Sequence, residues 1–187
     1  IEMALSVKKE QEYLERVKQN GMYLKRITKN QTEKICLEAV KNNGSVLVYV
    51  NEQTEAICLE AVKNNGYALQ YVKKQTDEIC LEAVKKDGRA LEFVKKQTPE
   101  ICLAAVKENG YAFQYAKEQT EEMCLEAIEQ KPFILGFVEH QTEEMCLKAV
   151  KKDGRVLQHV KRQTEMICLE AVRQNGWALE YVENPTV

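Results

Sequence analysis

A stretch of 22 residues recurs along this chain with few changes, and its clearest copy runs from Thr54 to Gln75. The threonine that opens it returns at a constant spacing, at Thr32, Thr54, Thr76, Thr98, Thr120, Thr142, Thr164 and Thr186. Repetition at such a period is typical of solenoid proteins, in which each unit packs against its neighbours. The chain is therefore predicted to fold as an array of short units rather than around one central core.

Each unit is predicted to contain two short helices. Thr54 suits the N-cap of the first helix, and Glu55 complements the positive end of the helix dipole. Apolar residues then follow at helical spacing and predict a buried face, namely Ile57, Cys58, Ala61 and Val62. Gly66 is expected to end this helix in the left-handed conformation. A second apolar stripe predicts the second helix, namely Ala68, Leu69, Tyr71 and Val72.

The predicted fold is an all-α αα-solenoid, a superhelix of two-helix units. We expect about ten residues in the first helix and about eight in the second, lengths at which an isolated helix is marginal and depends on stacking. Residues 1–30 are assigned to a degenerate N-terminal capping repeat, 31–185 to seven tandem repeats, and 186–187 to the start of a truncated eighth. A leading helix at about residues 3–9 is expected to run into the first repeat. Polar or bulky residues replace the usual Ile, Cys and Ala in that repeat, namely Glu12, Tyr13 and Arg16.

Two places depart from the regular pattern. In the repeat that begins at Thr120, Pro132 stands where the others carry glycine, so the junction between its two helices is expected to differ. Gly136 falls inside the second helix of that repeat, which indicates a local irregularity or a close approach to the backbone. At the other place, the last helix at about 177–183 has no successor. We expect a further unit or another molecule to cover it, and we expect the chain to be a segment of a longer array.

Charge and cysteine content narrow the function classes. The net charge is −2, from 27 basic and 29 acidic residues, which gives no general preference for nucleic acid or an anionic membrane. Seven cysteines occur, one in each of the seven tandem repeats, and this even spacing favours small buried residues over a disulfide framework or a zinc site. Unpaired thiols point to a reducing, intracellular location.

Recognition is expected on the second helices, at the positions that vary between repeats. The residue after the glycine and the residue three places further on share a helix face and form the candidate partner-binding set: Tyr67, Gln70, Arg89, Glu92, Tyr111, Gln114, Phe133, Arg155, Gln158, Trp177 and Glu180. Large aromatic side chains and arginine are frequent in interface hot spots. The residues four places after the first position are expected to be core: Tyr49, Tyr71, Phe93, Tyr115, Phe137, His159 and Tyr181.

Catalytic residues are not evident. The two histidines, His140 and His159, occupy different positions of their repeats, and neither has a nucleophile or an orienting acid at a useful spacing. No glycine-rich phosphate loop is present in the sequence. The chain is therefore expected not to be an enzyme and to need no metal or cofactor.

The repeat sequence resembles a known protein family. The motif I-C-L-E-A-V-K-x-N-G-x-A-L-x-Y-V-K, which Thr54–Gln75 carries almost whole, is similar to the short tandem αα repeats of an uncharacterised family found in large DNA viruses and some intracellular bacteria. The similarity covers about residues 31–184, and the first repeat and Pro132 depart from it. The resemblance implies the helical repeat fold and transfers no catalytic residue, because the function of the family is itself unknown.

Three functions are compatible with these observations. The preferred one is a non-enzymatic scaffold that binds a protein or peptide along the second-helix face, with no role at a membrane. The first alternative is modular binding of single-stranded RNA, in which pairs such as Tyr67 with Gln70 stack on and read a base, helped by basic pairs such as Lys73-Lys74. The second alternative is structural assembly, end to end, through the last helix.

Overall fold

The computed structural model describes the backbone of residues 2–183 and the side chains of residues 6–183. In that part of the chain α-helices alternate with 3-10 helices and no strand is present, which confirms the predicted all-α solenoid. The α-helices are α1 (Glu2–Gln19), α2 (Glu33–Asn42), α3 (Glu55–Asn64), α4 (Asp77–Lys86), α5 (Pro99–Glu108), α6 (Glu121–Gln130), α7 (Glu143–Lys152) and α8 (Glu165–Gln174). The 3-10 helices are η1 (Gly21–Arg26), η2 (Gly44–Tyr49), η3 (Gly66–Tyr71), η4 (Gly88–Phe93), η5 (Gly110–Tyr115), η6 (Pro132–Phe137), η7 (Gly154–His159) and η8 (Gly176–Tyr181). The predicted start of an eighth repeat lies outside the described residues.

The chain forms two compact units, Ile1–Gln97 and Thr98–Val187. Within the first unit, each α-helix packs against the next α-helix and against the 3-10 helix that precedes it, and neighbouring 3-10 helices also pack together. The second unit repeats this arrangement from α5 to η8. Each unit is therefore a two-layered solenoid, with one layer of α-helices and one layer of 3-10 helices. None of the described helices is long and apolar enough to cross a membrane.

The helices α2 to α8 begin as predicted, at a threonine N-cap. In α3 the Thr54 hydroxyl accepts a hydrogen bond from the Ile57 amide at 3.3 Å, which satisfies one of the free donors of the first turn. The same hydroxyl donates to Glu33 of the previous repeat at 2.8 Å. The cap thus starts its own helix and also ties it to the repeat before, so the recurring threonine contributes to both local and inter-repeat structure.

The glycine after each α-helix does not take the left-handed conformation, and that prediction is wrong. None of the glycines in the described residues has a positive φ. In the repeat of α3 the chain turns instead at Asn65, which is extended, with φ −143° and ψ 109°, and whose side chain accepts from the Tyr67 amide at 3.0 Å. Asn65 therefore caps a new helix at once, and Gly66 becomes the first residue of η3.

The second helices are 3-10 helices of six residues rather than α-helices of about eight. A 3-10 helix has about three residues per turn, so residues i and i+3 lie on one face. Gly66, Leu69 and Val72 accordingly form the buried row of η3, whereas Tyr67 and Gln70 form the outer row. Tyr71, which follows Gln70, belongs neither to the buried row nor to the outer row. The series predicted as core is half-buried instead, and one member is exposed, so that prediction is also wrong: Tyr49, Tyr71, Phe93, Tyr115, Phe137, His159 and Tyr181.

A glutamine before each N-cap threonine joins consecutive repeats. Gln53 donates from Nε2 to the carbonyl of Leu47 at 3.4 Å and to that of Tyr71, in the next repeat, at 3.0 Å. Its Oε1 accepts from the Lys73 amide at 3.0 Å and faces the Cys58 thiol at 3.8 Å. Equivalent bonds are made by Gln31, Gln75, Gln141 and Gln163. The glutamine thereby satisfies the carbonyl end of two 3-10 helices with one side chain.

A second side-chain amide joins the repeats at the other end of several 3-10 helices. Asn64 accepts from the Gly44 amide at 2.7 Å and donates to the Lys41 carbonyl at 2.8 Å. Asn42, Gln130 and Gln174 make the corresponding contacts. Pro132 has no N–H for such a bond, and the residue at the matching place of the next repeat is Lys152, which pairs with Glu129. The expected change at this junction is therefore seen in the bonding, although η6 still forms.

The cysteines lie in the core as predicted. All seven are free thiols; six are buried, and Cys168, in the last repeat, is half-buried. Burial, with a smaller contribution from the Glu33 carboxylate, raises the pKa of Cys36 to about 11. Burial likewise raises the pKa of Cys80 to about 11, with a smaller contribution from Asp77. No group of three or more His, Cys, Asp or Glu side chains suited to a metal ion occurs among the described residues.

The first and last repeats differ from the internal ones. The leading helix runs into the first repeat, as expected, and forms one continuous helix, α1. On α1 the side chains of Glu12 and Arg16 form an exposed ion pair at 3.0 Å, where internal repeats carry Ile and Ala. At the last repeat, Leu179 is 62% exposed, whereas Leu157 at the same position of the previous repeat is fully buried. The last repeat thus leaves uncovered an apolar face that internal repeats bury.

Candidate binding surface

The candidate residues lie where expected, on the outer rows of the 3-10 helices. We call these outer rows, the second and fifth residues of each 3-10 helix, the ribbon of each unit. The first unit contributes Tyr67, Gln70, Arg89 and Glu92, and the second contributes Tyr111, Gln114, Phe133, Arg155, Gln158, Trp177 and Glu180. All of them are exposed except Tyr67, which is half-buried. The ribbon of each unit is therefore an accessible row of aromatic, arginine and amide side chains on a regular scaffold.

Ribbon aromatics contact the repeat that follows them. In the first unit the Tyr67 ring lies 5.9 Å from the Arg89 guanidinium and meets the Phe93 ring edge-on at 5.9 Å between centroids. In the second unit Phe133 lies 5.8 Å from the Arg155 guanidinium, and its ring meets the His159 ring edge-on at 5.7 Å. These contacts hold the rings in place. The rings of Tyr67 and Phe133 are thus held by the following repeat rather than free to rotate.

The contact between the repeat of α5 and η5 and the repeat of α6 and η6 is different. Lys131 lies over the Tyr111 ring, with its Nζ 5.2 Å from the centroid. Phe137 occupies the position that Phe93 has in the first unit, yet it is 65% exposed, and Tyr111 is 54% exposed. Phe133 is also 39% exposed, so the two neighbouring 3-10 helices η5 and η6 together carry three exposed aromatic rings.

Several polar groups of the ribbon are already used within the fold. Arg155 donates to both carboxylate oxygens of Asp153, from Nε at 3.0 Å and from Nη2 at 2.7 Å. The hydrogen bond from Arg155 is the main reason that the pKa of Asp153 is lowered. The side-chain amides of Gln70 and Gln158 donate to carbonyls of their own helices at 3.0 Å. The ribbon consequently offers more apolar surface and fewer free donors than its sequence suggests.

A cavity of about 530 Å³ lies in the second unit, at the corner that precedes α7 and α8. Its wall combines acidic and basic side chains, among them Glu139, Glu143, His140 and Arg162. Lys161, also on the wall, donates from Nζ to backbone carbonyls of the preceding corner at 2.9 Å. Because opposite charges share the wall, the cavity shows no preference for an anionic or a cationic ligand.

The sequence did not identify Lys131 and Phe137 as site residues. Phe137 was assigned to the core because the second helix was treated as an α-helix, in which i and i+4 share a face. Lys131 carried a usable signal, since every other described repeat has Asn or Asp at that position and caps its 3-10 helix with it. Lys131 makes no side-chain cap bond. Its long side chain is therefore available to lie across Tyr111.

Comparison with protein families identifies the repeat. A sequence profile described as "Domain of unknown function (DUF4116)" matches residues 54–98, 76–120, 98–141 and 142–184. The chain belongs to this family. Each matched segment spans about two of the 22-residue units, so one DUF4116 domain corresponds to a pair of repeats. No curated protein and no solved structure matches the chain.

Proposed function

We propose that this chain is a non-enzymatic binding module whose ribbon contacts a protein or an extended peptide. The observation that carries the proposal is the exposure of large aromatic rings on a repeated surface, above all Tyr111, which is 54% exposed although a further repeat follows it. Exposed aromatics that are already ordered lose little entropy on binding, and they are enriched among interface hot spots. The free, buried thiols fit an intracellular site of action.

A displayed library of random 12-residue peptides, selected on the immobilised chain, tests this proposal. Affinities of selected peptides are then measured by fluorescence anisotropy. The double variant Tyr111→Ala/Trp177→Ala is expected to bind at least about tenfold more weakly, as expected when hot-spot aromatics are lost. Lys63→Ala, on the opposite layer, serves as the control and should bind like the parent chain. Recovery of no binding peptide, or equal binding by the double variant and the parent, would overturn the proposal.

Modular RNA binding is less well supported by the geometry. Arg155 is held by Asp153, and the amides of Gln70 and Gln158 donate to their own helices, so these groups are not available to read base edges. The net charge of −2 also provides no attraction for phosphates. Saturable binding of a labelled 12-nucleotide oligouridine at about 50 mM salt, lost in Tyr111→Ala, would replace the peptide proposal with this one.

End-to-end assembly is the second candidate, favoured by the exposed apolar face of the last repeat. Leu169 is 55% exposed there, in addition to Trp177 and Leu179. The opposite end does not complement this face, because the Glu12–Arg16 ion pair stands where an internal repeat would present Ile and Ala. Head-to-tail contact in the geometry of the internal repeats is therefore disfavoured. Sedimentation velocity between about 1 and 100 μM should show a monomer, and a concentration-dependent series of oligomers would support assembly instead.

A further inference from the structure

The repeat of α6 and η6, which begins at Thr120, contains three departures from the regular pattern. Lys131 replaces the capping Asn or Asp, Pro132 replaces the glycine, and Gly136 replaces the ribbon residue that is Gln114 and Gln158 in the neighbouring repeats. The first change brings Lys131 over Tyr111. These substitutions therefore alter the surface of the ribbon, while the helix η6 itself is retained.

Gly136 leaves the ribbon of this repeat without a side chain at the fifth residue of η6. In a 3-10 helix Phe133 and Gly136 are separated by one turn and lie in the same row. Gly136 is exposed, and the His159 ring packs against it, since a Cβ on Gly136 would lie 3.2 Å from the His159 Nδ1. Phe133 and Phe137 stand on either side of Gly136 in sequence, and both are exposed. The His159 ring thus occupies the space beside Gly136, and the exposed faces of Phe133 and Phe137 remain accessible to an apolar side chain of a partner.

The charges around these exposed rings favour a carboxylate. The helices η5, η6 and η7 contain no acidic residue, whereas η4 and η8 each carry one ribbon glutamate. Nearby acids are already engaged: Glu129 pairs with Lys148 at 3.0 Å, and Asp153 pairs with Arg155. Lys131 instead faces an aromatic ring, so its ammonium can also receive a partner's carboxylate. Apolar surface beside an unneutralised cation is complementary to an acidic, apolar peptide.

We propose that the patch formed by Tyr111, Lys131, Phe133 and Phe137 binds a peptide segment that carries a bulky apolar side chain next to an acidic residue. This inference rests on the proposed function, since it names the partner class for one part of the ribbon. The apolar side chain packs against the exposed rings of Phe133 and Phe137. The carboxylate contacts Lys131, which the Tyr111 ring holds in position.

Three fluorescein-labelled peptides of ten residues test the chemistry. The first has a central Leu-Phe flanked by glutamates, the second has the same centre flanked by lysines, and the third has a central Ser-Ser flanked by glutamates. The first is expected to bind at least about tenfold more tightly than either of the others, because only it supplies both groups. Equal binding of the glutamate-flanked and lysine-flanked peptides would overturn the inference.

Variants of the intact chain test the location. Lys131→Asn restores the cap of the ordinary repeats, and Phe137→Ser changes an exposed ring, so both should fold. Each is expected to weaken binding of the first peptide at least about fivefold. Lys151→Asn removes the same charge from the opposite layer and should leave the affinity unchanged. Raising salt from about 50 to 300 mM should weaken the parent more than Lys131→Asn.

The two proposals fail in different ways. If library peptides bind, and their binding is lost in Tyr111→Ala/Trp177→Ala but unchanged in Phe137→Ser and Lys131→Asn, the ribbon binds peptides elsewhere and the inference about this patch is wrong. If no peptide binds at all, the proposed function fails, and the inference fails with it. If Phe137→Ser and Lys131→Asn weaken binding of the first peptide but Lys151→Asn does not, the patch is the site.

Discussion

Gly66, at the start of η3, lies against Ala83 of the next repeat so closely that a Cβ on residue 66 would be 2.6 Å from the Ala83 carbonyl oxygen. The φ of Gly66 is not positive, so it is space and not backbone conformation that requires glycine here. The same closeness recurs where Gly21 faces Ala39. The recurring glycine therefore sets how near a 3-10 helix approaches the following α-helix.

Gly66→Ala is expected to destabilise the chain by about 1–3 kcal/mol, since the added methyl must push two packed repeats apart. Gly176→Ala is the matched control, because nothing lies within 4 Å of the Cβ that it would add. That change should be neutral, or stabilising by up to about 1 kcal/mol through the unfolded state. Urea unfolding followed by far-ultraviolet circular dichroism measures both. Equal effects at the two glycines would show that inter-repeat spacing is not the constraint.

A charged residue in place of the glutamine that joins repeats should destabilise the chain. In Gln75→Glu, a carboxylate replaces the amide that donates to the carbonyls of Leu69 at 3.4 Å and Phe93 at 2.9 Å. The loss of these bonds and the repulsion between oxygens should cost about 1–3 kcal/mol at pH 7. Gln114→Glu introduces the same charge at an exposed ribbon position and should change the unfolding free energy by less than about 0.5 kcal/mol. A Gln75→Glu chain as stable as this control would contradict the assigned role.

The sequence predicted the repeat register and the first helix of each unit well, because these depend on local signals. Thr54 caps α3, and the helix spans the ten residues expected. The sequence did not predict the bonds of Gln53 or the close approach at Gly66. In each of these contacts the two partners belong to different repeats. The repetition of glutamine and glycine at fixed positions was visible, but its cause lies in how neighbouring units meet.

The candidate site was predicted only in outline. The ribbon positions were chosen from variation between repeats, and their exposure agrees with that choice. Phe137 was missed because the sequence of a six-residue helix does not distinguish α from 3-10 geometry, and only 3-10 geometry rotates the sixth position away from the core. The position of Lys131 over Tyr111 depends on the loss of a cap and on a neighbouring repeat. Local patterns do not contain that information.

The leucine at the fourth position of the 3-10 helix should stabilise the chain strongly in an internal repeat and weakly in the last one. Leu157 is fully buried, and Leu157→Ala is expected to destabilise the chain by about 2–5 kcal/mol. Leu179 is 62% exposed, so Leu179→Ala should cost less than about 1 kcal/mol. Thermal unfolding of both variants, at one chain concentration, measures the difference. A large loss in Leu179→Ala would mean that another molecule covers the last repeat in solution.

Substitutions at Pro132 and Lys152 should be energetically coupled, because together they would create a hydrogen bond that this junction lacks. Pro132→Gly restores an N–H, and Lys152→Asn restores the amide that accepts it in other repeats, as Asn64 does for Gly44. The double variant is expected to be more stable than the sum of the single changes by about 1 kcal/mol, the usual contribution of one hydrogen bond. Urea unfolding of the four chains in the cycle gives the coupling energy, and a value near zero would contradict the assignment.

Thiol reactivity should separate the last repeat from the others. Cys168 is half-buried while the remaining six are buried, so one thiol is expected to react quickly with Ellman's reagent in the native chain. Its pKa is raised by burial and, to a lesser extent, by Glu183, so the thiolate is the minor form near neutral pH and the rate should rise with pH, by up to about tenfold between pH 7 and pH 8. Cys168→Ser should remove the fast phase, whereas Cys80→Ser should leave it intact. Several thiols reacting at the fast rate would mean that internal repeats open readily, because the reagent can reach a buried, protonated cysteine only when the neighbouring repeat moves away.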